Sequence, residues 1–266
     1  MTYFFTNLTH QEALGQVDMT EILQIGSLQI AATEIIPLLA GYQMLPQLLR
    51  EIIIDQAIAP FACTEVEKST AMQQYIEKNQ ISSEAQLQAW LEFHGMTTEQ
   101  FESLSLRGLR IEKFKLATWG NKLESYFLSR KGQLDKVIYS LLRTNDVGIA
   151  QELYFRILEG EQSFAELATE YSQGPETQTG GIIGPVEMST PHPTLAQLLR
   201  VSQPGKLSPP MHLGEWLVII RLEKLIGAQL DEAMRIRLLN ELFNTWLQEQ
   251  ITQLSSVRSA SPQLAA

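Results

Sequence analysis

Apolar residues return every three or four positions through most of the first 132 residues, a spacing that keeps them on one side of an α-helix. Leu38, Tyr42, Leu45, Leu49, Ile52 and Gln56 form such a stripe. It predicts one helix kinked at Pro46, because proline removes a backbone donor and crowds the carbonyl four residues back. Thr64 with Glu67 has the spacing of a capping box and opens a helix carrying Ala71, Met72, Tyr75 and Ile76, which stops near Asn79. Ser83 with Gln86 opens the next, through Leu87, Trp90 and Leu91 to a closing Gly95. Another begins at Thr97 or Thr98. The helical pattern continues from Leu109 to Leu128, with Phe114, Ala117, Leu123 and Phe127 facing inward, until Gly132 marks a break.

Beyond Gly132 the period changes. Val137–Leu142 suits a short strand, and Asn145 is placed to cap a helix from Asp146 to Glu159, ended by Gly160. Ser163 and Glu166 make another capping box for a shorter helix through Leu167 and Tyr171. Residues 172–193 hold so many glycines and prolines that they read as an ordered loop without regular elements. A helical turn or two follows at Leu195–Arg200, and Trp216–Leu222 is the clearest strand of the chain. Strand, helix, helix, loop and strand within about 90 residues make an α+β pattern. From Gln229 to Leu254 a long amphipathic helix returns, with Leu230, Met234, Leu238, Leu242, Trp246 and Ile251 on one side. The place for that stripe is against the amino-terminal helices, which predicts a discontinuous helical domain around an α+β insert. The expected divisions are 1–132, 133–227, 228–254 and a flexible tail, 255–266.

Composition narrows the function. The chain has 266 residues, enough to bury roughly three quarters of its unfolded surface without staples. Thirty acidic against twenty basic side chains give a net charge of −10, which argues against a nucleic-acid backbone or an anionic membrane as partner. The most apolar stretch, Ile35–Ile58, is interrupted by Gln43, Pro46, Gln47, Arg50, Glu51 and Asp55, so no membrane insertion is expected. Residues 1–10 lack a basic region followed by an apolar run, and the expected location is cytoplasmic. The single cysteine, Cys63, excludes an intramolecular disulfide or a multi-cysteine metal site and reads as a small buried hydrophobe. His10, His94, His192 and His212 have no ligand spacing, so neither metal nor cofactor is expected. Gly180-Gly181-Ile182-Ile183-Gly184 lacks the Lys-Ser/Thr of a phosphate loop, and no nucleophile-elbow signature surrounds Ser140, Ser172 or Cys63.

Gly160, Phe164, Leu167-Ala168, Ser172, Gly180-Gly181 and Gly184, followed by Pro193, Gly205, Leu207-Ser208 and Gly214, together resemble the framework of the parvulin-type (PpiC, rotamase) peptidyl-prolyl isomerases. The resemblance covers about Leu134–Ile226. The flanking segments, Tyr42–Glu51 and Leu230-Asp231-Glu232 onward, resemble the two ends of a SurA-like or trigger-factor-like helical chaperone domain. The whole is similar to cyanobacterial parvulin-domain proteins, whose final strand commonly carries a tryptophan. These resemblances imply an α+β protein: a discontinuous all-helical SurA-like domain with an inserted parvulin (FKBP-like) domain. They also imply a foldase whose partners are unfolded or proline-containing client polypeptides.

Aligned by its glycines, the chain lacks every ionisable member of the family site. The first family histidine falls at Ser140, the polar cysteine or aspartate at Gly174 and the last histidine at Trp216. The apolar pocket positions fall near Pro191 and Leu195, with His192 beside them out of register by one, and Met188 either lines the groove or fills the core. Ser140 reads as a candidate catalytic group or a satisfied strand hydroxyl, and Trp216 as a proline platform or a core aromatic. Isomerisation still has a route, since rotation about X-Pro faces a barrier of about 18–20 kcal/mol and breaks no bond. A pocket that strips water from the imide and fits its twisted form lowers that barrier by differential binding. Weak activity is therefore expected. The alternatives are a non-catalytic peptide-binding chaperone or adaptor for a secretion or maturation system, and a scaffold whose insert is vestigial.

Overall fold

The computed structural model describes residues 22–25 and 28–259. Lys122–Ile236 forms one compact unit, and the described residues up to Asn121 form the other together with those from Arg237 onward. The helical unit is thus split in sequence around a continuous insert.

Among the described residues of the helical unit, β1 (Ile22–Ile25) and β2 (Leu28–Ala31) come first and pair antiparallel, Ile22 opposite Ala31. The reading of this region as helical passed over them. Gly26-Ser27 between two short runs is the sequence signal for such a pair. Then come α1 (Ala32–Gly41), α2 (Leu45–Ile58), α3 (Glu65–Lys78), α4 (Glu84–His94) and α5 (Thr98–Trp119). The expected single helix kinked at Pro46 is two helices. Pro46 lies in the first turn of α2, where its missing N–H has no partner to lose. Thr64 and Thr97 make full capping boxes with Glu67 and Gln100, and Gly95 closes α4 in the left-handed conformation. Cys63 is half-buried rather than buried.

In the insert, α6 (Leu123–Leu134) precedes β3 (Lys136–Thr144), α7 (Val147–Leu158), α8 (Phe164–Tyr171), a 3₁₀ turn at Pro175–Thr179, β4 (Ile182–Glu187), α9 (Pro193–Val201), β5 (Leu207–Leu213) and β6 (Trp216–Ile226). Gly132 sits inside α6 and marks no break. Asp146, not Asn145, caps α7, its carboxylate accepting from the Ile149 N–H. The sheet runs β4-β3-β6-β5 and is antiparallel throughout. Both strands absent from the sequence reading are edges, β4 with Gly184-Pro185 and β5 with Pro209-Pro210. Proline lacks a donor, and an edge is where a sheet tolerates that loss. Gly181 has φ +85°, and a Cβ there would come within 2.9 Å of Leu141 O and of the Ala168 and Phe164 side chains. Its bare backbone lets α8 close on β3.

The last helix, α10 (Glu232–Ser259), returns to the helical unit from Arg237 onward. There Phe243 and Leu247 join Ile53, Ile54 and Ile58 of α2 and Phe114 of α5 in one core. The expected stripe holds at Leu238, which is buried, and beyond it turns by one position: Leu239, Phe243 and Leu247 are buried, while Leu242 and Trp246 lie at its margin. Phe114 is the hub, its ring meeting those of Phe61, Trp119, Phe243 and Trp246.

Candidate functional site

Side chains on β3 alternate between the two faces of the sheet, and the faces differ. Leu142 packs with Ile219 against Leu153 of α7 and Phe164 and Leu167 of α8. Val137, Tyr139 and Leu141 lie on the other face with Val218 and Ile220 of β6, Met188, and Leu195 and Leu199 of α9. Ile183, Val186, Leu198, Met211, Leu213 and Trp216 complete that second face and are only partly buried. An apolar surface bordered by half-open aliphatic and indole groups is therefore concentrated on the α9 side.

The positions named from sequence divide sharply. Ser140 shares the parity of Leu142 and faces α7 and α8. Its hydroxyl donates to Glu223 Oε1 at 2.5 Å, an oxygen that also accepts from Arg221 Nε at 2.8 Å. The Arg221 guanidinium in turn lies 5.2 Å from the centre of the Phe164 ring. Trp216 belongs to the opposite face. Ser140 pairs across the ladder with Arg221, five residues from Trp216, or about 16 Å along the strand. The structure does not bring Ser140 and Trp216 together; the β3 side chains on the face of Trp216 are Tyr139 and Leu141.

Met188 and Leu195 are 1% and 3% exposed and fill the core beneath the surface. Pro191 is buried as well. His192 is exposed and serves as the N-cap of α9, its Nδ1 accepting from the Thr194 N–H at 3.3 Å. Of the positions named, Trp216 alone combines an open surface with the apolar face.

A polar corner that the sequence reading missed adjoins this face. Arg143 continues the parity of Tyr139 and Leu141 and pairs across the ladder with Val218, which pairs on its other side with Met211. Its guanidinium grips Glu176 with two parallel hydrogen bonds, Nε to Oε1 at 2.8 Å and Nη2 to Oε2 at 2.7 Å. Glu176, in the 3₁₀ turn, is 3% exposed. The Ser172 hydroxyl donates to Glu176 Oε1 at 2.5 Å and accepts from the Arg143 N–H at 3.0 Å. Burial pushes the Glu176 carboxyl upward, but the hydrogen bonds from Arg143 and Ser172 outweigh it and hold the group below the usual carboxylate range. Burial also raises the Tyr139 phenol. Gly174 explains its own identity: a Cβ there would land on Arg143 Nε and on both Glu176 oxygens. The place of the family's polar residue is filled by an ion pair reaching in from two other positions. One sequence signal pointed this way, an arginine on the same strand face as Tyr139 and Leu141, at an otherwise apolar stretch.

Among the described residues no group of three or more His, Cys, Asp or Glu side chains is arranged to hold a metal ion. No helix among them is long and apolar enough to cross a membrane.

Residues 144–224 match the family model of the rotamase, or PPIC-type PPIase, domain. Over 193 residues the chain is 24% identical to the chaperone SurA of Cupriavidus pinatubonensis, a match that takes in 63% of this chain and 38% of that protein. The chain thus spans about two fifths of its relative. Among solved structures, the peptidylprolyl isomerase PrsA of Bacillus cereus is similar at 18% identity and a TM-score of 0.46, with 94% of this chain and 95% of that one covered. The parvulin domain of PpiD from E. coli is similar at 25% identity and a TM-score of 0.33, covering 38% of this chain and 97% of that domain. Residues 144–224 within the insert thus carry the rotamase-domain pattern, in a chain that is similar over part of its length to a SurA chaperone.

Proposed function

We propose that this chain is a parvulin-type foldase that binds X-Pro segments of client polypeptides on the α9 side of the sheet and turns them over slowly. The observation that carries the reading is the half-open row of Met211, Leu213 and Trp216 beside Val218, an apolar surface that ends at the Arg143–Glu176 corner. An aromatic or aliphatic floor accepts a pyrrolidine ring, and the loss of water around the imide favours its twisted form. A rate tenfold below that of a fully equipped site corresponds to about 1.4 kcal/mol, a modest deficit for a site without ionisable rings. The helical unit, with Tyr42, Val66 and Phe93 exposed, suits retention of an extended client.

A second reading has its own support. Gly174 is glycine because Arg143 and Glu176 occupy its surroundings, so the polar neighbour that the resemblance implies beside the proline ring is gone. The cradle would then hold peptide without catalysis, as a chaperone or an adaptor to a secretion or maturation system. NMR exchange spectroscopy on a short Ala-Pro peptide separates the two. Exchange accelerated in proportion to added protein supports the foldase, binding with unaltered exchange supports the adaptor, and absence of binding refutes both.

A further inference from the structure

Arg143 is the one cationic side chain that alternation places on the apolar face of β3, and its hydrogen bonds to Glu176 use only one edge of the guanidinium. Nε and Nη2 hold the carboxylate. Nη1 lies on the other edge of the same rigid plane. The side chain is 27% exposed while its partner is 1% exposed, so the carboxylate lies inside and the arginine reaches outward. Across the ladder Arg143 stands opposite Val218, and Val218 opposite Met211, with Trp216 and Leu213 forming the adjoining pair on that face. A donor of fixed direction thus ends a row of apolar side chains.

We propose that Arg143 is the hydrogen-bond donor of X-Pro isomerisation in this protein, its Nη1 meeting the imide nitrogen of a proline seated on Met211, Leu213 and Trp216. The inference rests on the foldase reading and adds the group that drives it. In a planar imide the nitrogen lone pair is shared with the carbonyl and accepts no hydrogen bond. When the bond twists by a quarter turn the lone pair returns to nitrogen, which becomes pyramidal and basic. A donor at that point stabilises the twisted state and leaves the planar forms untouched, which is differential binding. No proton is transferred and no covalent bond changes. A guanidinium stays charged throughout the physiological range, so the device needs no titrating ring. Glu176 is the positioning residue, fixing the plane of the donor from the interior.

The experiment compares wild-type protein with Arg143→Lys, and with the double variant Arg143→Met/Glu176→Gln, which leaves no buried carboxylate unpaired. Lysine keeps the charge and the pairing to Glu176 but has no second edge. Exchange rates over a range of Ala-Pro peptide concentrations give kcat and KM, and thermal melts report folding. The expected result for either folded variant is a loss of about tenfold in kcat with KM within about twofold, because the bond forms only in the twisted state. An unchanged kcat in folded Arg143→Lys overturns the proposal and leaves the foldase reading standing. So does a loss confined to KM. Wild-type protein that leaves exchange at the solvent rate overturns both.

Discussion

Arg143 of β3 and Glu176 of the 3₁₀ turn are joined by a two-pronged ion pair whose carboxylate is sealed from water and whose guanidinium is not. Such a pair contributes little net stability when formed, because desolvation offsets its attraction, yet breaking one partner leaves an uncompensated group inside. Glu176→Gln is expected to destabilise the parvulin unit by about 2–3 kcal/mol, below the usual figure of about 3–5 because Arg143 retains contact with solvent. Urea unfolding followed by near-ultraviolet circular dichroism measures this.

The same pair sets an acid limit. The Glu176 carboxyl is held below its ordinary range in the folded protein, so the folded state binds the proton less readily than the unfolded one. Its contribution is complete above the ordinary carboxylate range and is lost as pH falls through the lowered folded value. Wild-type stability should therefore decline as the solution is acidified across that interval, and Glu176→Gln should decline less. Parallel curves for the two proteins would remove the pair as the cause.

Gly174→Ala tests whether the corner is full. The added methyl would meet Arg143 Nε and both Glu176 oxygens, and overpacking of this kind costs about 1–3 kcal/mol. Combining it with Glu176→Ala removes two of the three clashing atoms and frees the Arg143 side chain to move from the third, so the double variant should lose less than the sum of the singles. Additive losses in a double-mutant cycle would show that Gly174 is kept for another reason.

Leu195 and Trp216 should separate stability from binding. Leu195 is buried, and Leu195→Ala is expected to cost about 2–4 kcal/mol through the cavity it leaves. Met188, equally enclosed, behaves alike. Trp216 is partly open at the margin of the same face, so Trp216→Ala should weaken Ala-Pro peptide binding several-fold with a smaller stability loss. Titration calorimetry beside thermal melts decides it; a binding constant unmoved by Trp216→Ala excludes the indole from peptide binding.

The helical elements were legible because their signals are local. Thr64, Ser83 and Ser163 each accept the backbone N–H three residues on, as their spacing required, and Gly95 takes the conformation that only glycine adopts cheaply. The edge strands were hidden for an equally local reason, since Gly184-Pro185 and Pro209-Pro210 read as turns when no neighbour is known. The site was harder still. Ser140 and Trp216 were matched to the family's histidines by counting from glycines, and on a strand each single-residue step changes the face. The ion pair joins residues 33 apart, so no window along the chain contains it.

Phe114 anchors the helical unit. Its ring touches four aromatic neighbours drawn from α5, α10 and the segment after α2. Phe114→Ala is expected to cost about 3–5 kcal/mol. Because Trp119 and Trp246 are among its neighbours, the loss should appear in tryptophan fluorescence at lower urea than the far-ultraviolet signal of the parvulin unit. Coincident loss of both signals would show that the two units unfold as one.

Charge should bias the choice of client. The chain carries a net charge of −10, and beside the apolar row the Arg143 cation is already balanced by Glu176, while Glu215 stands exposed next to Trp216 in the chain. An approaching peptide therefore meets a molecule of net negative charge. Peptides with lysine or arginine flanking the proline are expected to bind several-fold more tightly than acidic counterparts at low ionic strength. Screening shortens from about 10 Å at 0.1 M salt to about 3 Å at 1 M, so the difference should fade over that range while the apolar contribution persists. Equal affinities for basic and acidic peptides at low salt would show that the apolar row alone selects the client, and a preference undiminished at 1 M would place a specific ion pair beside that row instead.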